Sequence, residues 1–429
     1  MTYDETIEYL FSRLPAWHSI GKAAYKGNLD NTVALDAYFD HPHRAFRTIH
    51  VAGTNGKGSV SHMMASIFQE AGYKTGLYTS PHLRDFRERI RVDGQMITEE
   101  EVVAFIDKHK SIIESIEPSF FELTVAMAFD YFARMEVDVA VIEVGMGGRL
   151  DSTNIITPVL SVITNIGHDH MEFLGGTLAG VAGEKAGIIK EGVPVVTGET
   201  QPETRDVFIE AAKAMDAPIT FADRDFRCNL GDPEKTTSVR PYMLYDLRSR
   251  TRRGGTTPLG GLAQQKNIQT VAAAFEKIYG QFGFVNDHFI KGVANVVTNT
   301  GLMGRWQVLA HSPLTVCDTG HNREGLEYVM RQIKSTPRKG LHMIIGFVND
   351  KDLSQVLPLF PSDAVYYFTR AALPRALDEN VLKGEALKYG LTGNSYPSVA
   401  LALEAAQSAA SDDDMIFIGG STYVVAEVV

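Results

Sequence analysis

The residues with the clearest chemical potential form one short segment, Gly53-Thr54-Asn55-Gly56-Lys57-Gly58-Ser59. Glycines let backbone N–H groups approach phosphate oxygens, while a lysine supplies positive charge and a hydroxyl residue can accompany a metal ion. The spacing is a variant of the usual phosphate-binding loop, because Gly58 separates Lys57 from Ser59 and the interval to the first glycine is short. A glycine-rich structural turn is the alternative. We interpret the segment as a site for the triphosphate of ATP.

The elements on either side of this segment favour phosphate binding. Arg47–Ala52 predicts a β-strand, and the residues after the segment predict a helix with one apolar face that stops at Gly72. A helix that starts at such a loop directs its positive dipole end at the bound anion. The order of strand, loop and helix therefore supports the nucleotide interpretation over the turn.

The rest of the chain repeats this alternation. Short apolar runs at 76–79, 137–144, 159–164 and 193–196 predict buried strands, and helical patterns cover Glu99–Ile116 and Glu122–Arg134. This alternation is typical of an α/β domain with a mostly parallel sheet. Residues 223–258 are charged and weakly periodic, so we expect an antiparallel excursion or a long loop there. A second α/β pattern, with strands at 314–317, 342–345, 364–368 and 415–418, starts near residue 300.

The composition limits the partners. A formal net charge of −11 argues against nucleic acid and against anionic membrane surfaces. The two cysteines, Cys228 and Cys317, lie far apart without metal-type spacing, which is typical of a reducing cytoplasm. No signal-peptide core and no apolar run of about 20 residues is present. We expect a cytoplasmic enzyme.

Several polar residues follow the predicted strands. Glu143 lies in an apolar run, where a carboxylate is costly unless it is paired or ligated, and an acidic residue at a strand end of a nucleotide-binding domain can hold Mg²⁺. A salt bridge from Glu143 to Arg149 or Lys57 is the alternative. Ser80 ends another strand and offers a hydroxyl ligand, while His168-Asp169-His170 is a weaker metal signal.

Three further segments have two competing interpretations each. Gly145-Met146-Gly147-Gly148 is half of a dinucleotide fingerprint, but Leu150 replaces the third glycine, which argues against a nicotinamide site. Spacing alone predicts that Lys185 is a surface lysine on a helix. The cluster Asp318-Thr319-Gly320-His321-Asn322 follows a strand and predicts a ligand site, or a helix cap made by Asp318 or Asn322.

The motifs together resemble the folylpolyglutamate synthase/dihydrofolate synthase family, a branch of the Mur-ligase-like ATP-dependent amide ligases. The matching stretches run in order along nearly the whole chain: His50–Ser59, Thr79–Leu83, Phe121-Glu122, Glu143–Asn154, His168–Gly175, Glu184–Lys190, Gln264–Asn267, Gly304-Arg305, Asp318–Asn322 and Asp350–Asp352. Gly58 is typical of the folate branch. The peptidoglycan ligases carry threonine there and place a nucleotide-sugar domain before the loop, for which we expect no room ahead of Gly53.

The resemblance implies a fold and an activity. It implies a P-loop-containing, mostly parallel ATP-binding domain over residues 1–298 and a smaller, Rossmann-like α/β glutamate-ligase domain over residues 299–429. The implied reaction joins L-glutamate to dihydropteroate and to reduced folates through an acyl phosphate, with ATP and Mg²⁺. A peptidoglycan amino-acid ligase and a P-loop switch or motor protein are the rival functions. We expect a monomer whose two domains close over the substrates.

The resemblance also implies roles for individual residues. Thr54 to Ser59 would hold the triphosphate, and Asn267, Arg305 and Asp318 would complete the nucleotide site. Ser59, Ser80, Glu143 and His170 would hold Mg²⁺. Lys185 matches a lysine carried as a carbamate, and it joins Lys57 and His321 as a catalytic residue. The pteroate-side residues would be Leu29, Asp30, Phe121, Glu122, Asp151 and Ser152, with Asn28–Thr32 as a mobile loop. Ala263 and Arg323 depart from the family pattern, which has histidine and proline there.

Overall fold

The structure of the protein is a computed structural model that describes residues 1–14, 27–168, 174–234 and 239–429. The chain divides into two compact units. The first contains Met1–Gly231, Pro241–Thr257 and Gln265–Gly301, and the second contains Asp232–Arg240, Pro258–Gln264 and Leu302–Val429. Some residues before position 302 therefore belong to the second unit. The division into domains after residue 298 stays a prediction.

A large sheet forms the centre of the first unit. Within the described residues it has eight strands, in the order β4-β3-β2-β5-β1-β6-β7-β8. Their bounds are β1 Arg47–Ala52, β2 Thr75–Tyr78, β3 Ile90–Val92, β4 Gln95–Met96, β5 Val139–Glu143, β6 Leu160–Ile163, β7 Val195–Thr197 and β8 Ile219–Phe221. The pairs that join β2, β5, β1, β6, β7 and β8 are parallel, and β3 and β4 add an antiparallel edge. The predicted mostly parallel sheet is confirmed.

The central strands are buried on both faces because helices cover both faces of the sheet. Every residue of β5 is buried, as are Thr48–Ala52 of β1. The helices of this unit are Tyr3–Arg13, Asp30–Tyr38, Lys57–Glu70, Glu99–Ile116, Phe120–Arg134, Leu178–Ala186, Pro202–Ala214, Ala222–Asp225, Gln264–Ile278, Asn286–Ala294 and Val296–Thr300. The helix Lys57–Glu70 packs against both β5 and the helix Asn286–Ala294.

In the strand order, β1 lies at the point where the connections between strands change from one side of the sheet to the other. The chain passes from β1 to β2 on one side, and after β5 it crosses to β6 on the other side. In open α/β sheets, ligands bind outside the carboxyl ends of the strands at such a switch point. The loop that follows β1 therefore occupies the position where a ligand is expected.

Three strands between Phe226 and Thr257 form a separate sheet in the described part of the chain, and the first two of them pair antiparallel. Its strands are β9 Phe226–Leu230, β10 Arg240–Asp246 and β11 Thr251–Thr257, in the order β11-β10-β9. Of the two alternatives predicted for this region, the antiparallel excursion is correct.

The second unit is also α/β. Its sheet has six strands, in the order β12-β13-β17-β14-β15-β16, and the antiparallel strand β12 lies at one edge. The bounds are β12 Gln307–His311, β13 Leu314–Cys317, β14 Leu341–Ile345, β15 Val365–Thr369, β16 Gly393–Tyr396 and β17 Met415–Gly419. Its helices are Arg323–Ser335, Glu379–Leu387, Val399–Ala409 and Thr422–Ala426. Across the described residues of both units, no helix has the length and apolar character needed to span a bilayer.

Candidate functional site

The glycine-rich loop joins β1 to the helix Lys57–Glu70 through a left-handed turn at Gly56. Gly56 has a φ of 84° and is the N-cap of the helix. A side chain there would be strained, and its Cβ would lie 2.3 Å from Asn267 Oδ1. The Asn267 side chain therefore lies directly against the loop, so two of the residues predicted to bind nucleotide are brought together.

Residues that follow β6 hold the loop from its other side. The carbonyl of Asn165 accepts the Thr54 N–H at 2.9 Å, and Asn165 Oδ1 accepts the Asn55 N–H at 2.9 Å. The Thr164 hydroxyl donates to the Asn55 carbonyl at 2.6 Å. These contacts fix the backbone of the loop before any ligand binds. The sequence reasoning missed Thr164 and Asn165, although a Thr-Asn pair directly after a buried strand is a usable signal.

Two lysine side chains meet at one backbone oxygen of the loop. Lys57 Nζ donates to the Gly53 carbonyl at 3.1 Å and to the Thr54 carbonyl at 3.2 Å. Lys185, in the helix Leu178–Ala186, also donates from Nζ to the Gly53 carbonyl, at 2.9 Å. Lys185 is only 5% exposed. The prediction from spacing that Lys185 lies on the surface is therefore wrong, because its helix packs through Val181 and Ala182 into the buried cluster that contains Ala52.

Side chains that carry oxygen atoms lie at the same edge of the sheet. Glu143 ends β5 and is 3% exposed, and its Oε2 accepts the Ser80 N–H at 3.2 Å. Ser59, which is 1% exposed, lies in the first turn of the helix after β1. Because β2, β5 and β1 are neighbours, Ser80 and Glu143 lie at adjacent strand ends, and Ser59 lies in the helix that follows the third strand. A carboxylate with hydroxyl groups is a hard-oxygen donor set, which fits Mg²⁺.

The fourth predicted metal ligand, His170, lies outside the described residues. Within residues 1–14, 27–168, 174–234 and 239–429, no group of three or more His, Cys, Asp or Glu side chains could hold a metal ion. Arg149, the predicted alternative partner of Glu143, forms an ion pair with Glu184, in which its Nη2 lies 2.9 Å from Oε1. The metal role of Ser59, Ser80, Glu143 and His170 stays a prediction.

An apolar wall lies beside Glu143. Gly145 follows β5, and a Cβ at this position would lie 2.4 Å from the Phe121 ring. The Phe121 ring centroid lies 6.1 Å from that of Tyr78. An aromatic ring against bare glycine backbone makes a flat surface, which suits stacking with a planar ligand. Phe121 is thus close to the acidic strand end.

Glu122, which the resemblance places beside the pteroate, also caps a helix. It completes the capping box of the helix Phe120–Arg134, since its Oε2 accepts the Ser119 N–H at 2.6 Å. The same oxygen accepts from Asn31 Nδ2 at 3.3 Å. Asn31 lies next to Asp30 at the start of the helix Asp30–Tyr38, for which Leu29 is the N-cap. The structure therefore brings Glu122 together with the segment Asn28–Thr32. The predicted loop is only partly correct, because Asp30, Asn31 and Thr32 form the first turn of a helix.

Asp151 is buried and satisfied by internal donors. Its Oδ2 accepts the Met146 N–H at 2.9 Å, and its Oδ1 accepts the Thr153 N–H at 3.0 Å and the Thr153 hydroxyl at 2.5 Å. It also caps the short turn Ser152–Ile155. Burial raises the pKa of the Asp151 carboxyl, although these hydrogen bonds oppose the shift. Asp151 thus holds the shape of the loop that follows β5, and Ser152 comes directly after it.

The polar cluster of the second unit follows β13. Asp318 Oδ2 accepts the Trp306 N–H at 2.7 Å and Oδ1 accepts the Gly320 N–H at 2.8 Å, while burial raises the pKa of this carboxyl. The Arg305 guanidinium donates to the Thr319 hydroxyl. His321 Nδ1 lies 3.0 Å from the Thr319 carbonyl, so the proton is on Nδ1.

Asn322 is the helix cap that the sequence predicted in this cluster. Asn322 Oδ1 accepts the Gly325 N–H at 2.9 Å and caps the helix Arg323–Ser335. Asp318 instead binds two backbone N–H groups outside the helix. The cap therefore explains Asn322 and leaves Asp318, Arg305 and His321 as ligand-binding candidates.

The fold and the site define the class of protein. Residues 51–275 match the Mur ligase middle domain, and residues 304–422 match the Mur ligase glutamate ligase domain. The chain is therefore an ATP-dependent ligase of the Mur type.

Similar proteins show to which family of Mur-type ligases the chain belongs. The chain is 32% identical to the dihydrofolate synthase/folylpolyglutamate synthase of Bacillus subtilis, across 96% of each chain. It is 32% identical to the folylpolyglutamate synthase of Lacticaseibacillus casei, across 100% of this chain and 98% of the relative. The solved structure of E. coli FolC in complex with DHPP and ADP is similar, with 29% identity, a TM-score of 0.84, and 100% of this chain and 97% of that chain covered. The chain belongs to the dihydrofolate synthase/folylpolyglutamate synthase family, and the resemblance read from the motifs is confirmed.

Proposed function

We propose that the protein uses ATP to join L-glutamate to dihydropteroate and to reduced folates. The observation that carries this proposal is the meeting of two loops at one sheet edge. The phosphate loop leaves β1, while the loop from Gly145 to Asp151 leaves the adjacent strand β5. A nucleotide on the first loop would present its terminal phosphate toward an acceptor on the second. The Bacillus subtilis relative, which matches 96% of this chain, carries both synthase names.

The nucleotide would bind along Thr54 to Ser59. Backbone N–H groups at the start of the helix Lys57–Glu70 point toward the phosphate position, and the helix dipole favours the anion there. The Lys57 ammonium, now on the loop's own carbonyls, would exchange them for phosphate oxygens. ADP in the similar E. coli FolC structure supports a nucleotide site in this fold. Asn267, Arg305 and Asp318 are proposed to bind the rest of the nucleotide.

Ser59, Ser80, Glu143 and His170 are proposed to hold Mg²⁺. When bound, the ion would neutralise charge on the phosphates, which is the main electrostatic demand of phosphoryl transfer. Glu143 suits this role, because a buried carboxylate is costly unless a cation or donors compensate it. The Ser80 N–H orients Glu143 in the meantime.

The folate acceptor is proposed to bind beside β5. The Phe121 ring and the bare backbone of Gly145 would stack on the pterin or pteroate rings, and Glu122, Asp151 and Ser152 would line the polar edge. Leu29 and Asp30 would cover this pocket, since Asn31 already ties their segment to Glu122. DHPP in the similar E. coli FolC structure supports an acceptor site in this fold.

The reaction needs two bond-forming steps. The acceptor carboxylate oxygen attacks the γ-phosphorus, the bond to the ADP oxygen breaks, and an acyl phosphate results. The glutamate amine then attacks the acyl carbon, releases phosphate and loses a proton. Lys57 would stabilise the charge on the transferred phosphoryl group, and His321 is proposed to act on the glutamate side.

We also propose that Lys185 is carbamylated. Its neutral amine would attack CO₂, form an N–C bond and release a proton, which converts a cation into an anion. Two ammonium groups on the Gly53 carbonyl repel each other, and conversion of Lys185 would replace repulsion by attraction to Lys57. The anion would also add an oxygen donor near the proposed metal ligands.

Two further assignments belong to this proposal. The protein would act as a monomer, because one chain carries all of the proposed site residues. It would work in a reducing cytoplasm, since both cysteines are free and buried.

Glutamate-dependent ADP release in the presence of Mg²⁺ tests the function, with dihydropteroate and tetrahydrofolate compared as acceptors. Release with both acceptors would support the two activities, and release with tetrahydrofolate alone would restrict the protein to polyglutamylation. ADP release that is indifferent to both acceptors would overturn the proposal and favour a P-loop switch protein.

A further inference from the structure

A buried chain of hydrogen bonds connects β1 with the loop that follows β5. His50 Nε2 lies 2.8 Å from Thr153 Oγ1, and the Thr153 hydroxyl lies 2.5 Å from Asp151 Oδ1. His50 and Thr153 are fully buried, and Asp151 is 5% exposed. None of the roles described above uses His50 or Thr153.

The geometry fixes the direction of each proton in this chain. A threonine hydroxyl has one proton, and the short contact with a carboxylate takes it, so Thr153 must accept from His50. His50 therefore carries its proton on Nε2. Its Nδ1 is buried and has no hydrogen-bond partner, which agrees with a neutral ring.

The chain joins the two proposed substrate loops. His50 lies on β1, three residues before the phosphate loop begins at Gly53, and pairs with Ile142 of β5. At the other end, Asp151 holds the Met146 N–H of the acceptor loop at 2.9 Å. Loss of the Thr153 hydroxyl would remove one of the hydrogen bonds that hold Asp151, and the acceptor loop would lose a restraint.

We propose that His50 and Thr153 are positioning residues that hold Asp151 and the Gly145–Asp151 loop in the conformation that binds the folate acceptor. This inference rests on the proposed function. It assigns neither residue to chemistry, because both are buried behind Asp151. It differs from simple core packing in one respect: the defect of a variant should fall on the acceptor rather than on ATP.

Thr153→Val tests this, since valine keeps the shape and removes the hydroxyl. Loss of one buried hydrogen bond to a charged group predicts a rise of about tenfold in KM for tetrahydrofolate, with KM for ATP within about twofold. Thr153→Ser restores a hydroxyl and should recover most of the affinity. The matched control is Thr204→Val, because Thr204 is equally buried and its hydroxyl has no hydrogen-bond partner.

A double-variant cycle tests the connection to β1. His50→Leu and Thr153→Val break the same chain, so their combination should raise KM for tetrahydrofolate no more than Thr153→Val alone. Equal rises in both KM values, unchanged KM values, or effects of the two variants that simply multiply would overturn the proposal.

Equilibrium binding of tetrahydrofolate and of ATP separates this inference from the function on which it rests. A wild-type protein that binds tetrahydrofolate without glutamate-dependent ADP release would contradict the reaction, while weaker binding by Thr153→Val would still support the positioning role. Equal binding by wild type and Thr153→Val would contradict the positioning role alone. A wild-type protein that binds no folate would overturn both.

Discussion

At the scale of single residues, Lys57 and Lys185 both contact the Gly53 carbonyl, and this shared contact is the basis for the proposed carbamylation of Lys185. Both donate to that oxygen within 3.1 Å. If Lys185 is a carbamate, wild-type protein in CO₂-depleted buffer should lose glutamate-dependent ADP release and regain it when bicarbonate is added. ¹³C-bicarbonate should give a carbamate resonance that Lys185→Ala lacks. Full activity without CO₂, together with no such resonance, would contradict the modification.

Lys57 permits a simpler test. Lys57→Ala removes the cation proposed to meet the transferring phosphoryl group, so turnover should fall by at least about 100-fold. The fold should persist, because Lys57 bonds only with carbonyls of its own loop in the contacts described. The control is Lys213→Ala, an exposed lysine in the helix Pro202–Ala214. Circular dichroism that shows a collapsed Lys57→Ala variant, or a rate near that of wild type, would refute this role.

At the scale of elements, the left-handed turn at Gly56 determines where the helix Lys57–Glu70 begins. Gly72, beyond the end of the same helix, has nearly the same φ, 83° against 84°. A Cβ at Gly72 meets nothing within 4 Å, while one at Gly56 lies 2.3 Å from Asn267 Oδ1. Both alanine variants should lose about 1–2 kcal/mol of stability from backbone strain. Only Gly56→Ala should also lose ATP affinity, measured by calorimetric titration.

The buried histidine of the central strand β1, His50, should make the stability of the fold depend on pH. Burial, and then the charge of Lys190, lower the pKa of His50 from 6.5 to about 3. The unfolded chain therefore takes up a proton that the folded chain refuses, so stability is complete above pH 6.5 and declines as pH falls toward 3. From about pH 7 to about pH 5 this linkage should cost about 2 kcal/mol.

Urea unfolding at the two pH values tests the role of His50. His50→Gln should remove most of this loss, whereas the exposed His311→Gln should leave the pH dependence of wild type unchanged. The same pH dependence in His50→Gln and wild type would show that other groups carry the linkage.

At the scale of the whole molecule, local patterns predicted the buried strands and their helices. The helix Glu99–Ile116 and the strand β13 have the bounds that periodicity gave them, because long apolar faces and buried runs are local signals. The short edge strands β4, β8, β12 and β16 were missed, since an edge strand is partly exposed and is fixed by its neighbour. The hydrogen-bond chain from Asp151 through Thr153 to His50 was also missed, because His50 and Thr153 lie about one hundred positions apart in the sequence.

The side chain of Gln332 joins the segment Pro258–Gln264 to the rest of the second unit. Gln332 is 2% exposed, and it donates to the Gly260 carbonyl at 2.8 Å while accepting the Leu262 N–H at 2.7 Å. Both partners precede residue 298, yet all three residues belong to the second unit. Gln332→Leu would leave the buried Gly260 carbonyl and the half-buried Leu262 N–H unpaired, which costs about 2 kcal/mol.

In scanning calorimetry, Gln332→Leu should therefore lower one unfolding transition by on the order of 5 °C, while a second transition that ATP and Mg²⁺ raise stays in place. The exposed Gln407→Leu, in the same unit, should change neither transition. An equal shift of both transitions would mean that the two units unfold together. No shift would mean that the segment Pro258–Gln264 contributes little to the second unit, and would favour a boundary near residue 298.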